Sequence, residues 1–358
     1  MKKHLLALAV SAVVVAPGVA LASSDFYGKI NLSLDNVDLA EGAGVGGSHT
    51  LTSNKTYFGV RGNSELDHGL KALYQLEFGV NPDRSTLQTV LIPLPVIDLF
   101  TLRNSFLGFE GGFGTIRAGR MDTPLREMGF MVDQFQDQLY ADKFNLMAGE
   151  WRADNAIQYA TPKLADLVTV TVGTVAPEGD EANGVGGANQ KLFDSFSVTA
   201  VFDLGDAFVG IGHDRNNYGM TVQNGLDGSI IGLITSGIGG GVDNPGNIVD
   251  IYRVVAGMKM DSMEVGALVQ ESEDVNNSDL KDFSWMLSGS FNVSDALKIK
   301  AQYGVTDGDN ADVDLQQATL GVDYRLGAQT RTYAYATRAE LDGDRALAVV
   351  GIGAEHRF

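Results

Sequence analysis

The chain contains no cysteine, which removes disulfide frameworks, thiolate metal sites and cysteine nucleophiles. Basic residues are scarce: 26 Lys and Arg stand against 45 Asp and Glu, giving a net charge of −19. Such an acid excess argues against nucleic acid as a partner, because phosphate neutralisation needs Lys and Arg. No stretch approaches the roughly 20 consecutive apolar residues that a helical span requires, so a helical membrane protein is excluded. Enzyme signatures are missing as well. There is no HExxH, GxSxG or Walker A sequence, and the one complete GxGxxG, Gly42 to Gly47, lies in a glycine-rich link with no helix after it. His49, His68, His213 and His356 are scattered without metal spacing. Neither an enzyme nor a cofactor is expected.

Proline is also sparse, at 8, whereas glycine reaches 44, a balance that suits many strands joined by turns. The first 22 residues stand apart. Lys2 and Lys3 precede an apolar stretch from Leu5 to Val15, a Pro17-Gly18 break and the small-residue site Ala20-Leu21-Ala22. Together these read as a secretory signal peptide, leaving one domain over residues 23–358. Without Lys2 and Lys3 the net charge moves to about −21.

Beyond the leader, period-two alternation dominates. Phe26, Ile30, Leu32 and Leu34 fall on one parity, with Tyr27, Lys29, Asn31, Ser33 and Asp35 on the other. From Leu297 to Val305, Leu297, Ile299, Ala301, Tyr303 and Val305 oppose Lys298, Lys300 and Gln302. Strict alternation with a charged second face predicts half-buried strands.

Sixteen strands are predicted near 25–36, 53–64, 70–80, 101–111, 114–121, 152–161, 167–176, 192–203, 206–215, 248–260, 262–271, 280–293, 296–306, 315–326, 329–339 and 347–358. Their links alternate between short and long. Asp67-His68-Gly69, Gly112-Phe113, Leu204-Gly205 and Ser294-Asp295 are tight turns, while residues 81–100, 122–151, 216–247 and 307–314 form long links. A soluble sandwich has no reason to keep this order. A transmembrane barrel does, because its hairpins have short turns on one side of the membrane and long loops on the other.

One link differs from the rest. Residues 122–150 are too long for a hairpin loop, yet carry Pro124, Phe130, Phe135, Tyr140 and Phe144, which can pack. They also hold Asp122, Glu127, Asp133, Asp137, Asp142 and Glu150 against only Arg126 and Lys143. The flanking strands bring Arg117, Arg120 and Arg152. An acidic loop bracketed by basic strands has the makings of a charged constriction.

DFYGKINLSLD (25–35), TYFGVRGNSEL (56–66), LRNSFLGFEGGFGTIRAGR (102–120), RADNAIQYATP (152–162) and the terminal Phe358 make the chain resemble the Gram-negative general porins over essentially its whole length after the leader. The resemblance implies an all-β, 16-stranded antiparallel barrel, a homotrimer in the outer membrane, and a third loop folded inward to narrow the pore. Its basic wall carries over to Lys29, Arg103 and Arg152. The second-strand arginine of the family falls on Tyr57, with Arg61 four residues on. Arg117 and Arg120 sit on opposite parities, so both face the lumen only if Arg120 already turns into the loop. The acidic motif of loop 3 is not reproduced, and Asp133 and Asp137 are candidates by position, with Asp142 a third. Phe358 matches the terminal aromatic that outer-membrane assembly recognises.

Passive diffusion of ions and small hydrophilic solutes is therefore expected, with a mild cation preference from the acid excess. A substrate-specific channel with Tyr27, Tyr57, Phe130, Phe135 and Tyr140 as an aromatic track is the first alternative, and a structural or adhesive barrel the second. The apolar stretch VLIPLPVIDLF (90–100) is expected at or near a trimer contact, since exposed apolar patches mark contacts. The acidic run 307–314 lacks the turn glycine and helices of a calcium loop and reads as a solvated outer loop. Outer-membrane lipid and lipopolysaccharide are the expected surroundings.

Overall fold

The computed structural model describes residues 24–39, 48–82, 100–176, 191–218, 248–309, 314–341 and 345–358. The predicted leader, the Gly42–Gly47 motif, the stretch 90–99, nearly all of the long link 216–247 and residues 310–313 lie outside them. The first half supplies β1 (Ser24–Leu39), β2 (Ser48–Ser53), β3 (Tyr57–Glu65), β4 (Lys71–Val80), β5 (Phe100–Leu102), β6 (Ser105–Gly111), β7 (Gly114–Asp122), the helix α1 (Pro124–Phe130), β8 (Arg152–Ala160) and β9 (Val168–Val175). The second supplies β10 (Phe196–Asp203), β11 (Ala207–Tyr218), β12 (Ile248–Met260), β13 (Met263–Asp274), β14 (Lys281–Asn292), β15 (Leu297–Gly308), β16 (Leu315–Arg325), β17 (Thr330–Leu341) and β18 (Arg345–Arg357).

Every neighbouring pair is antiparallel, and the sheet closes on itself. β18 pairs with β1 from Lys29 opposite Arg357 to Leu39 opposite Leu347. β2 and β3 both pair with β1, and β5 and β6 both pair with β4. Each couple is one wall strand with an interruption, so the described strands form a closed 16-stranded barrel. Closure satisfies the backbone groups that an open edge would leave unpaired in lipid.

Burial is inverted relative to a soluble sheet. Phe26, Ile30 and Leu34 on β1 are 60%, 47% and 56% exposed, whereas Lys29, Asn31, Ser33 and Asp35 are at most 2% exposed. β15 repeats this, with Ile299 exposed and Lys300 and Gln302 buried. An outward apolar band and an inward polar face are what a membrane-spanning barrel needs.

The two interruptions were not foreseen in the strands predicted near 53–64 and 101–111. At the first, Lys55 takes a left-handed backbone conformation, φ 55°. Beside it, Asn54 Nδ2 donates to Ser33 Oγ (2.7 Å) while its Oδ1 accepts from the Leu139 N–H (2.9 Å). At the second, Asn104 turns its amide to Asp122 (2.9 Å). In both places the ladder yields to side chains that hold the segment 123–150.

That segment is ordered and partly helical, which its lack of strand period left open. Thr123 caps α1 by accepting from the Arg126 N–H (3.3 Å), Pro124 takes the first turn and Glu127 sits near the positive end of the helix dipole. Leu125, Met128, Val132, Phe135, Leu146 and Met147 pack with Ile251, Val255, Leu268, Met286 and Leu315 in one buried cluster. These wall residues share the parity of the buried polar ones. Among the described residues, these wall positions give the polar-parity face an apolar area against which the segment packs. Fully burying a side chain such as Phe135 or Leu146 contributes about 1.5–3 kcal/mol.

Candidate pore constriction

Three clusters of charge tie the segment to the wall. In the first, Lys29 Nζ donates to Asp137 Oδ2 at 2.6 Å and lies 4.0 Å from Glu355. Lys55 bonds Asp142 Oδ2 and stands 3.6 Å from Asp137 Oδ1. Arg103 Nε donates to Glu77 Oε1 (2.6 Å), and Glu77 also accepts from the Tyr27 hydroxyl (2.9 Å). Tyr57 lies beneath the two wall cations, its ring centre 5.4 Å from Lys29 Nζ and 4.8 Å from the Arg103 guanidinium. Asp137 is the meeting point. Burial opposes its ionisation, but Lys29, Lys55 and Arg103 outweigh that and hold the carboxyl well below the usual carboxylate range.

The second cluster joins the two ends of the segment. Arg152 Nε is 3.0 Å from Asp122 Oδ1 and donates to Asn104 Oδ1 (2.8 Å); Arg126, one helical turn after Asp122, approaches it to 3.3 Å. Gln158 Nε2 donates to the Asp122 carbonyl (2.7 Å).

The third is sealed from solvent. Glu150 bonds Lys143 on one side and Arg253 Nη1 (3.0 Å) on the other, and the three side chains are at most 3% exposed. Arg253 also donates to the carbonyls of Ala148 (2.7 Å) and Leu125 (3.2 Å) and to Gln270 Oε1 (2.7 Å). Asp133 lies nearby and forms no ion pair among the described residues, although the wall cation Lys300 is close enough to feel its charge. Its carboxylate accepts from the N–H groups of Phe135 (2.9 Å) and Lys143 (3.2 Å). Burial, reinforced by the neighbouring charge of Asp142, pushes its carboxyl up to about 7. Asp142 goes the other way: burial is overcome by Lys55 and Lys143, and its carboxyl is depressed.

Of the residues singled out in the sequence, the structure brings together Lys29, Arg103, Asp137 and Asp142, and places Arg152 at the base of the segment. Arg61 lies apart from them, its guanidinium 4.6 Å from the Tyr27 ring centre. Arg117 donates to Gln158 Oε1 (3.0 Å) and lies 3.7 Å from Glu127. Arg120 does not turn inward. It shares the parity of exposed Ile116, donates to the Leu102 carbonyl (2.9 Å) and pairs with Asp154, whose side chain is 63% exposed. Phe358 exchanges backbone hydrogen bonds with Gly28 (2.9 and 3.1 Å) and sets its ring 5.7 Å from Phe26. The expected aromatic track is divided, because Phe135 and Tyr140 are buried in the packing of the segment while Tyr27 and Tyr57 remain beneath wall cations.

Sequence reasoning missed Lys55, Glu77, Asn104, Lys143, Glu150 and Arg253 as partners. Arg253 had a signal, being the lone charge in the middle of IYRVVAGM. Lys55 had one too, since it shares parity with Tyr57, where the family's arginine aligns.

A profile of Gram-negative porins matches residues 7–344. The major outer membrane protein P.IB of Neisseria gonorrhoeae is 28% identical over 46% of this chain and 46% of its own length, so the match spans about half of that relative. Outer membrane porin protein 32 of Delftia acidovorans is 26% identical over 93% of this chain and 88% of its own. Among solved structures, the anion-selective porin from Comamonas acidovorans superposes with a TM-score of 0.74 at 19% identity, covering 94% of this chain and all of that one. The match along nearly the whole length agrees with the closed barrel and its inverted burial: the chain belongs to the Gram-negative porin family.

Proposed function

We propose that the protein is a general diffusion porin of the outer membrane, which lets ions and small hydrophilic solutes pass through a water-filled pore in each subunit of a homotrimer. The observation that carries this reading is the Lys29–Asp137 contact, in which a wall strand meets the long third link across the inward face. On this reading residues 123–150 fold into the barrel and set the size limit. No chemical step is involved. Solutes meet wall cations on one side and segment carboxylates on the other, in a narrow and poorly screened space where fields act more strongly than in bulk water.

The cation preference expected from the overall acid excess is small on this reading. Asp137 and Asp142 are already paired with Lys29 and Lys55, and burial pushes the Asp133 carboxyl up to about 7, which weakens its charge at neutral pH. Their charge is thus largely compensated at the segment itself. The test is planar-bilayer conductance of the purified protein, with reversal potential read in a salt gradient. Large ohmic steps closing in threes support the reading. Absence of steps from folded, heat-modifiable protein would overturn it and favour a closed structural or adhesive barrel.

A further inference from the structure

A recess of about 410 Å³ opens on the inward wall between Arg61 on β3 and Arg117 on β7. We propose that it is a binding station for small organic carboxylates with an apolar body, a reading that rests on the protein being a pore but concerns a place apart from the Asp137 cluster.

The recess is formed by register. Arg61 stands opposite Gln75 on β4, which stands opposite Phe106 on β6. One row away, Asn63 faces Leu73, Leu73 faces Gly108, and Gly108 faces Arg117. The two arginines are three strand spacings apart, roughly 14 Å at the usual separation, and their side chains can close part of that gap. Gly108 makes the room. A Cβ there would lie 2.7 Å from the Ile116 carbonyl oxygen and 3.0 Å from Arg117 Cγ, so a side chain at this position would push against both the β7 backbone and Arg117.

The chemistry of the lining selects the ligand. Arg61 has its guanidinium over the Tyr27 ring (4.6 Å) and Arg117 has its own over Phe106 (5.3 Å). Stacking fixes the plane of each fork; Arg61 keeps its N–H edges, and Arg117, whose Nη2 donates to Gln158 (3.0 Å) and stands 3.7 Å from Glu127, keeps its Nη1 side to meet a carboxylate. No ion pair to Arg61 occurs among the described residues, whereas Arg117 has Glu127 at 3.7 Å and Arg103 and Arg152 are fully engaged by Glu77 and Asp122. Between the two guanidiniums, Phe106 and Leu73 offer an apolar floor, and Asn63 and Gln75 a polar rim. A bare inorganic anion would use the arginines and leave that floor idle. An amine would meet like charge.

Saturation-transfer NMR on the folded, detergent-solubilised protein tests this without requiring conductance, with benzoate as probe and benzylamine as the charge-reversed control. Saturable transfer to benzoate is expected, with weak or no transfer to benzylamine. Arg61→Gln and Arg117→Gln should each raise the apparent Kd about tenfold, and Phe106→Ala should weaken benzoate more than acetate. Lys163→Gln, in an exposed turn, should change nothing. Equal transfer to both probes, or benzoate binding unchanged in both arginine variants, overturns the station. Conductance steps measured on the same preparations report separately on the pore, so loss of binding with intact steps refutes the station alone.

Discussion

Arg253 reaches from β12 to Glu150 at 3.0 Å, and both side chains are shut away from solvent. The pair lies beside the anchor at Asp122, because Arg126 approaches both Asp122 (3.3 Å) and Glu150 (4.0 Å), so the two attachments together pin the joined ends of the segment. Removing one partner of a buried pair leaves the other charge stranded, at a cost of about 3–5 kcal/mol. Lys143 softens this at Glu150, and Gln270 Nε2 (3.1 Å) still donates to the Ala148 carbonyl, but the Leu125 carbonyl loses the Arg253 donor. Arg253→Met is therefore expected to lower the denaturation midpoint of the folded protein and open residues 140–150 to proteolysis. An unchanged cleavage pattern would show that apolar packing alone holds the segment.

The barrel closes through a contact that tolerates no extra atom. A Cβ added to Gly28 would lie 2.4 Å from the Phe358 ring and 2.8 Å from the Tyr57 carbonyl. Gly28→Ala must displace the terminal ring or shift β1 against β3, and a backbone neighbour cannot give way as a side chain can. Refolding into detergent should yield a smaller heat-modifiable fraction for Gly28→Ala than for wild type. Phe358→Ala, which removes the ring contact to Phe26 but keeps the backbone pairing, should be less affected in vitro.

The barrel was legible because alternation, link length and turn residues all report on the backbone, and a closed sheet repeats the same signal from strand to strand. The strand predicted at 248–260 is found at Ile248–Met260, whereas the one predicted at 192–203 starts only at Phe196 and the one predicted at 25–36 runs on to Leu39. The ion pairing at the candidate constriction was less legible. Asp133 and Asp137 were chosen by position alone, yet one carboxylate accepts backbone N–H groups within the segment and the other meets three wall cations. Asp137 also has a left-handed backbone, φ 65°, a tertiary detail with no periodic trace. Arg120 is a different case: its parity with exposed Ile116 pointed outward in the sequence as well, and only its charge argued for the wall.

The charge balance at Asp137 can be shifted one group at a time. Asp137→Asn leaves Lys29, Lys55 and Arg103 with one counter-charge fewer among them, whereas Lys29→Gln leaves Asp137 facing Lys55 and Arg103. On the proposed pore reading, the first variant should move the reversal potential toward anions and the second toward cations, each changing the permeability ratio about twofold or more. Raising the salt should shrink both shifts. Shifts of the same sign in the two variants would place this pair away from the narrowest ring.

Asp133 gives the segment a pH dependence opposite to that of its neighbours. Its carboxyl titrates near 7 in the folded chain, against about 3.9 when unfolded, so between those values the folded state holds a proton that the unfolded state has released. Stability from this group is therefore present at low pH and falls as pH rises from about 4 to 7, by no more than about 4 kcal/mol. Asp137 and Asp142 have depressed carboxyls, and their contribution holds above about 4 and is lost in stronger acid. The segment should therefore resist proteolysis best in the mildly acidic range and loosen toward pH 8. Asp133→Asn should flatten the alkaline side of that profile while leaving the acid side in place, because the amide oxygen still accepts from one backbone N–H but no longer gains charge. A profile that loosens toward pH 8 equally in wild type and Asp133→Asn would assign the alkaline change to another group.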